Sequence, residues 1–166
     1  MRNWLAALFL LVSSVGAGAQ TVERVKITEF GVYTRDVVET VKNPNLATGK
    51  LRIAQNFKLI QEGDVIVAGK GISFGFRYET IGKPKGKAIN LTWVTRFPPE
   101  GLDDPKNGHF QYNEFTHTHT IGDDAHRTYT FDEAFEMVPG EWTFEFWDGP
   151  KKLGEKRFKV ILAPTS

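Results

Sequence analysis

Three of the chain's four histidines fall within FTHTHTIGDDAH (residues 115–126), and the fourth, His109, lies just upstream. If Phe115–Ile121 is a strand, Phe115, His117, His119 and Ile121 share one face and the intervening threonines take the other. Two imidazoles at i and i+2 then stand ~6.6 Å apart along the strand, close enough to converge on one zinc or copper ion. A third ligand would have to come from His109 or His126, with Asp123 or Asp124 steadying an imidazole from behind. A lone His-x-His lacks the paired ligand spacings that make zinc motifs specific. Histidine and threonine alternating in a partly exposed strand is the simpler reading, and it is preferred.

The loop before it, DDPKNGHFQYNE (103–114), has the outline of a calcium loop. Asp103 stands at its first position, Asn107 at its fifth, Gly108 at its sixth and Glu114 at its twelfth. Pro105 occupies the third position, where a side-chain oxygen is needed, and no flanking helices are expected. Ordinary turn chemistry accounts for the same residues. Trp147 is a candidate contact for a partner or ligand, because it falls on the polar face of its strand with Thr143 and Glu145. Hydrolytic chemistry has little to work with. The chain has no cysteine and no G-x-S-x-G elbow, and beyond residue 19 its serines are Ser73 and Ser166. The expectation is a protein that is not an enzyme and holds no cofactor.

The elements that must position these residues repeat with period two. In GISFGFRYET, Ile72, Phe74, Phe76 and Tyr78 alternate with polar or small residues. In AINLTWVTRF the apolar face is Ile89, Leu91, Trp93 and Phe97; in EWTFEFW it is Trp142, Phe144 and Phe146. Such alternation marks half-buried strands. Weaker strands read at Val25–Tyr33, Leu51–Ile60, Phe115–Ile121, Tyr129–Phe131 and Arg157–Leu162. GKPKGK (82–87) reads as the loop of a hairpin between two strong strands. Asp148-Gly149 signals another hairpin, with Pro150 arguing for a loop longer than two residues. Many short strands with frequent turn signals predict an all-β chain, a single antiparallel β-sandwich domain.

The N-terminus reads differently. Arg2 is followed by an uninterrupted apolar run from Trp4 to Val12 and by Ala17-Gly18-Ala19, the pattern of a secretory signal peptide cut after Ala19. The run is too short to span a bilayer, which needs about 20 residues. Residues 1–19 are thus expected to be a leader and 20–166 the domain, in the periplasm or outside the cell, with no membrane span after cleavage. Without Arg2, the 21 basic and 20 acidic residues of the whole chain come into balance. A nucleic-acid partner is therefore not expected, since it would call for a basic excess.

The stretches ITEFGVYTRD (27–36), FGFRYETIGKPKG (74–86), TRFPPEGLDDPKNG (95–108) and YTFDEAFEMVPGEWTFEFWDGPKKLGEKRFKV (129–160) resemble a known set. They are similar to an uncharacterised bacterial exported family, the domain of unknown function DUF3859. FEMVPGEWTFEFW followed by KLGEKRFKV is the most specific part. The resemblance implies an immunoglobulin-like sandwich and an envelope address, and no activity or site residues. The expected role is that of an interaction or accessory module, its partner an envelope protein or a glycan. The alternative is a small zinc- or copper-binding protein or metalloenzyme built on His117 and His119.

Overall fold

A computed structural model describes residues 21–164. The expected leader and Ser166 lie outside the described residues. Two sheets face each other across an aromatic core. The first, in the order β2-β1-β4-β9, contains Lys50–Glu62, Thr21–Lys42, Ser73–Lys83 and Asp124–Thr130. The second, in the order β3-β11-β10-β5-β8, contains Val65–Val67, Lys151–Ile161, Gly140–Asp148, Ala88–Arg96 and Tyr112–Thr120. A small ribbon pairs β6 (Leu102–Asp104) with β7 (Gly108–Phe110), and a 3-10 turn covers Ala134–Glu136. This is the expected immunoglobulin-like β-sandwich.

The period-two faces meet as the alternation requires. Phe74, Phe76 and Tyr78 of β4 face Trp142, Phe144 and Phe146 of β10. Ring centroids lie 5.8 Å apart for Phe74–Trp142, 5.6 Å for Phe76–Phe144 and 4.7 Å for Tyr78–Phe146. The indole N–H of Trp142 donates to the Val138 carbonyl at 3.0 Å, which allows a fully buried tryptophan without an orphaned donor.

Three connections differ from the sequence expectation. GKPKGK does not close a hairpin. β4 pairs with β1 and β9, whereas β5 pairs with β10 and β8, so the loop carries the chain from one sheet to the other. Both strands bear one apolar face, and facing them across the core buries both, as edge-to-edge pairing also would; alternation alone does not choose. At Asp148 the hairpin closes with only Gly149 and Pro150 in the loop, Asp148 pairing with Lys151. Gly149 takes φ 53°, and proline's fixed negative φ follows it, the sign pattern of a type II′ turn. Finally, the sandwich is not wholly antiparallel. β3 runs parallel to β11, Val65 opposite Lys159 and Val67 opposite Ile161, after the chain leaves the first sheet at Gly63.

β1 and β2 are also longer than their alternation announced. β1 pairs with β4 as far as Tyr33, and beyond it runs on to Lys42 as a two-stranded ribbon with β2. Three register shifts, at Val32/Tyr33, Thr34/Asp36 and Val37/Glu39, interrupt that ribbon. Each bulge adds local twist and bend. The ribbon folds back, with Phe57 stacked on His126 of β9 at 4.5 Å. Its tip reaches the second sheet, where the Ala47 amide donates to Asn113 Oδ1 of β8 at 2.7 Å. The ribbon therefore works as a flap across the open edge of the sandwich, where β8 and β9 end the two sheets.

Candidate functional site: a cleft under the flap

β8 and β9 do not pair with each other, and the gap between them is a cleft of about 520 Å³. One wall is β9, and a second comes from β5 and β8 through Trp93, Thr95, Asn113, Phe115 and His117. The roof is the flap, contributing Leu46, Leu51, Ile53 and Phe57. Ligand sites of small molecules have this character: concave, largely apolar, with few placed polar groups.

The polar groups are unusual. Arg127 lies on the inward face of β9 with Ala125, Tyr129 and Phe131, and is only 8% exposed. Its guanidinium stands 4.7 Å from the Trp93 ring and 5.4 Å from that of Phe144, and one N–H donates to Thr95 Oγ1. Among the described residues no carboxylate lies within ion-pair distance of it. Burial lowers its pKa to about 9, so it remains a cation at neutral pH. A methyl group at Gly75 would fall 2.0 Å from the Arg127 carbonyl oxygen, so glycine is required where β4 approaches this point of β9.

Several buried polar atoms of the lining, Trp93 Nε1, His117 Nδ1, Tyr129 Oη and Glu136 Oε2, make no hydrogen bond of good geometry, although Tyr129 faces Glu136 and Trp93 faces Tyr78. Buried polar atoms are normally satisfied, and each exception calls for an explanation. Glu136 is fully buried on the 3-10 turn, its Oε1 accepting the Glu133 and Asp132 amides at 3.0 and 3.3 Å. Burial raises its pKa, and burial also raises that of Tyr129, helped by the Glu136 charge. At the mouth, Arg35 donates to the hydroxyls of Ser73 and Thr130 at 3.1 and 2.5 Å, while Arg52 pairs with Asp132.

The histidines divide between these surroundings. His117 and His119 share the inward face of β8 as expected, their ring centroids 5.9 Å apart, with the threonines outside. His117 stacks near Trp93 at 4.1 Å, and its pKa falls to about 4 through burial first and then the charges of His119 and Arg127. Burial also lowers the pKa of His119, with Asp123 opposing the shift. His126 lies in the other sheet, held between Phe57 and Tyr33. His109 is exposed on β7, its Nδ1 2.7 Å from Asp103 and its Nε2 2.7 Å from the Gln111 amide. Asp124 pairs with Arg77 instead of an imidazole. Among the described residues no group of three or more His, Cys, Asp or Glu is placed to hold a metal ion.

The loop that carries the calcium outline is built as a turn. Asp104 organises the loop, accepting the Lys106 amide at 2.7 Å and the Asn107 side-chain amide at 2.6 Å. Asp103 faces His109, and Glu114 is exposed on β8. Trp147 is half-buried, donating to Glu145 Oε2 at 3.0 Å beneath the Lys152 ammonium at 5.8 Å. Trp93, expected in the core, packs against it but also lines the cleft, and is only half-buried.

Arg127, Arg35, Tyr129 and Glu136 escaped the sequence reading. One signal was present for two of them. Period two through AHRTYTF places Arg127 and Tyr129 in line with Ala125 and Phe131, which puts an arginine on an apolar face.

Fold and site together define an immunoglobulin-like sandwich with a flap-covered cleft at its open edge. The chain belongs to the family described as Domain of unknown function (DUF3859), whose model matches residues 21–160. Among solved structures it is similar to an immunoglobulin-like protein from Pseudomonas aeruginosa, at 26% identity and a TM-score of 0.59, over 88% of this chain and 100% of that one. A looser likeness, to the Pseudomonas fluorescens alkylpurine DNA glycosylase AlkC bound to DNA containing an abasic site analog, has 14% identity and a TM-score of 0.36. It covers 80% of this chain and 30% of that one, and carries no argument. No curated protein matches the chain significantly. No helix among the described residues is long and apolar enough to cross a membrane.

Proposed function

We propose that this chain is an exported, non-enzymatic binding module of the bacterial envelope, and that the cleft under the flap is its working site. One observation carries the reading: a cleft of ligand size whose wall holds a buried cation, Arg127, with no carboxylate partner among the described residues. A fold that packs its aromatic core this closely gains nothing from such a group, since a buried charge without a partner is costly. A binding role gives it a purpose.

A non-enzymatic role is supported by the surroundings of Ser73 and of the His109–Asp103 pair. Arg35 Nε donates to the Ser73 hydroxyl, and no histidine is hydrogen-bonded to that oxygen. The His109–Asp103 pair stands on an exposed ribbon with Gln111 as its further neighbour and no nucleophile. The envelope address is supported by the expected leader.

The test fills the cleft. Leu51→Trp places an indole in the roof, away from the sandwich core. A small-molecule library screened by thermal shift should give compounds that raise the Tm of the unaltered protein and leave Leu51→Trp unmoved. Hits that stabilise both equally would overturn the reading.

A further inference from the structure

We propose that the ligand of this cleft is a small organic monoanion with an apolar body, its carboxylate seated against Arg127. This deepens the binding reading above and rests on it.

The charge argument comes first. A guanidinium taken from water into a protein interior carries a desolvation cost of several kcal/mol, which native proteins usually offset with a nearby carboxylate. Arg127 has only a hydroxyl and two aromatic faces. Of the other cations lining the cleft, only Arg52 has a carboxylate partner, Asp132; Arg35 meets two hydroxyls. The remaining carboxylate of the lining, Glu136, is fully buried on the 3-10 turn, its Oε1 taken up by the Asp132 and Glu133 amides, and it makes no ion pair with Arg127. The cleft is therefore short of negative charge, and the shortage is centred on one guanidinium. That arrangement repels a metal cation at His117, on which Arg127 already acts unfavourably.

The shape argument limits the rest of the ligand. Leu46, Leu51, Ile53, Phe57 and Phe115 give roof and wall apolar surface; of the cations that share the lining, Arg35 and Arg52 are partly exposed, Lys50 is exposed, and Arg127 is the buried one. One carboxylate neutralises that buried guanidinium, and an aryl or short acyl body would bury against the apolar side chains. A volume of about 520 Å³ lies within the ordinary range for such sites. A guanidinium beside an aromatic ring suits one carboxylate, which it meets with two parallel N–H donors.

The experiment uses benzoate and hexanoate as anionic probes, with benzyl alcohol and hexan-1-ol as neutral counterparts. Each is titrated into the purified protein by calorimetry, with Arg127→Met and Leu51→Trp titrated in parallel. The expected result is binding of the acids at least about tenfold tighter than the alcohols, as a charge-assisted contact requires. Arg127→Met should bring acids and alcohols to the same weak affinity, and Leu51→Trp should abolish both. The selectivity measured on the unaltered protein stands even where Arg127→Met fails to fold. Equal affinity for acids and alcohols would overturn the monoanion while leaving the cleft as a binding site. Binding of no probe, or binding that survives Leu51→Trp, would overturn both.

Discussion

At His117, burial and the charges of His119 and Arg127 push the same way, holding the imidazole at about 4 against an ordinary 6.5. In the unfolded chain the ring protonates as pH falls through 6.5; in the folded chain it stays neutral until about 4. The folded pKa is the depressed one, so full stability is present above pH 6.5 and is lost progressively between 6.5 and 4. The loss attributable to this ring is ~1–2 kcal/mol, after discounting for its partial exposure to solvent. Urea melts of the unaltered protein and His117→Phe at pH 7 and pH 4 should show the smaller acid loss in the variant. An identical loss would mean that His119, His126 and the carboxylates account for it all. Packing makes a second residue-scale prediction. Trp142 is fully buried against Phe74, Phe97 and Phe131, so Trp142→Ala should cost about 3–5 kcal/mol. Thr143→Ala, one position along on the outer face of β10, should cost far less. Equal losses in denaturant melts would contradict the strand's orientation.

The flap is held at its tip by the burial of Leu46 and Ala47 and by one buried hydrogen bond, the Ala47 amide on Asn113 Oδ1, with the Asn107 side-chain amide lying 3.5 Å from the Ala47 carbonyl. Asn113→Ala would leave the Ala47 donor buried without a partner, a cost of about 1–3 kcal/mol that lifting the flap relieves. Limited proteolysis should then cut within 43–49 at a rate well above that of the unaltered protein, while the sandwich stays intact. Unchanged cutting would mean that the tip does not depend on this bond. The flap also marks where the sequence stops being legible. Strands with one wet and one dry face, such as β4, β5 and β10, declare themselves by alternation. The ribbon from Tyr33 to Lys42 does not, because Val37 and Val38 are both exposed and bulges break the period. β9 was half seen, since Asp124–Arg127 reads as polar although Arg127 points inward. The pairing partner of each strand was also hidden: GKPKGK serves equally well as a hairpin loop or as a bridge between sheets. The inward-facing pair His117 and His119 was legible, but the cleft beside them depends on which strands end each sheet. That is a property of topology, which one strand's pattern does not contain.

For the molecule as a whole, the expected leader and the described fold meet at a defined point. Cleavage after Ala19 would leave Gln20 ahead of β1, which begins at Thr21, paired with Lys83 of β4. Val22 is 2% exposed, and its carbonyl accepts the Lys151 ammonium at 2.5 Å. A cut three or more residues further on would remove Val22 with the start of this anchored strand and expose the core beneath it. A cut well before Ala19 would leave apolar leader residues attached to β1. Cleavage of the expected leader would thus be constrained from both sides, by its small-residue pattern and by the first buried residue of the fold. Intact-mass measurement on protein recovered from the envelope fraction should give a chain starting at Gln20, free or cyclised to pyroglutamate. Its thermal unfolding should match that of a recombinant chain begun at the same residue. A full-length mass retaining Trp4, found with the inner membrane, would refute export by cleavage and with it the envelope role.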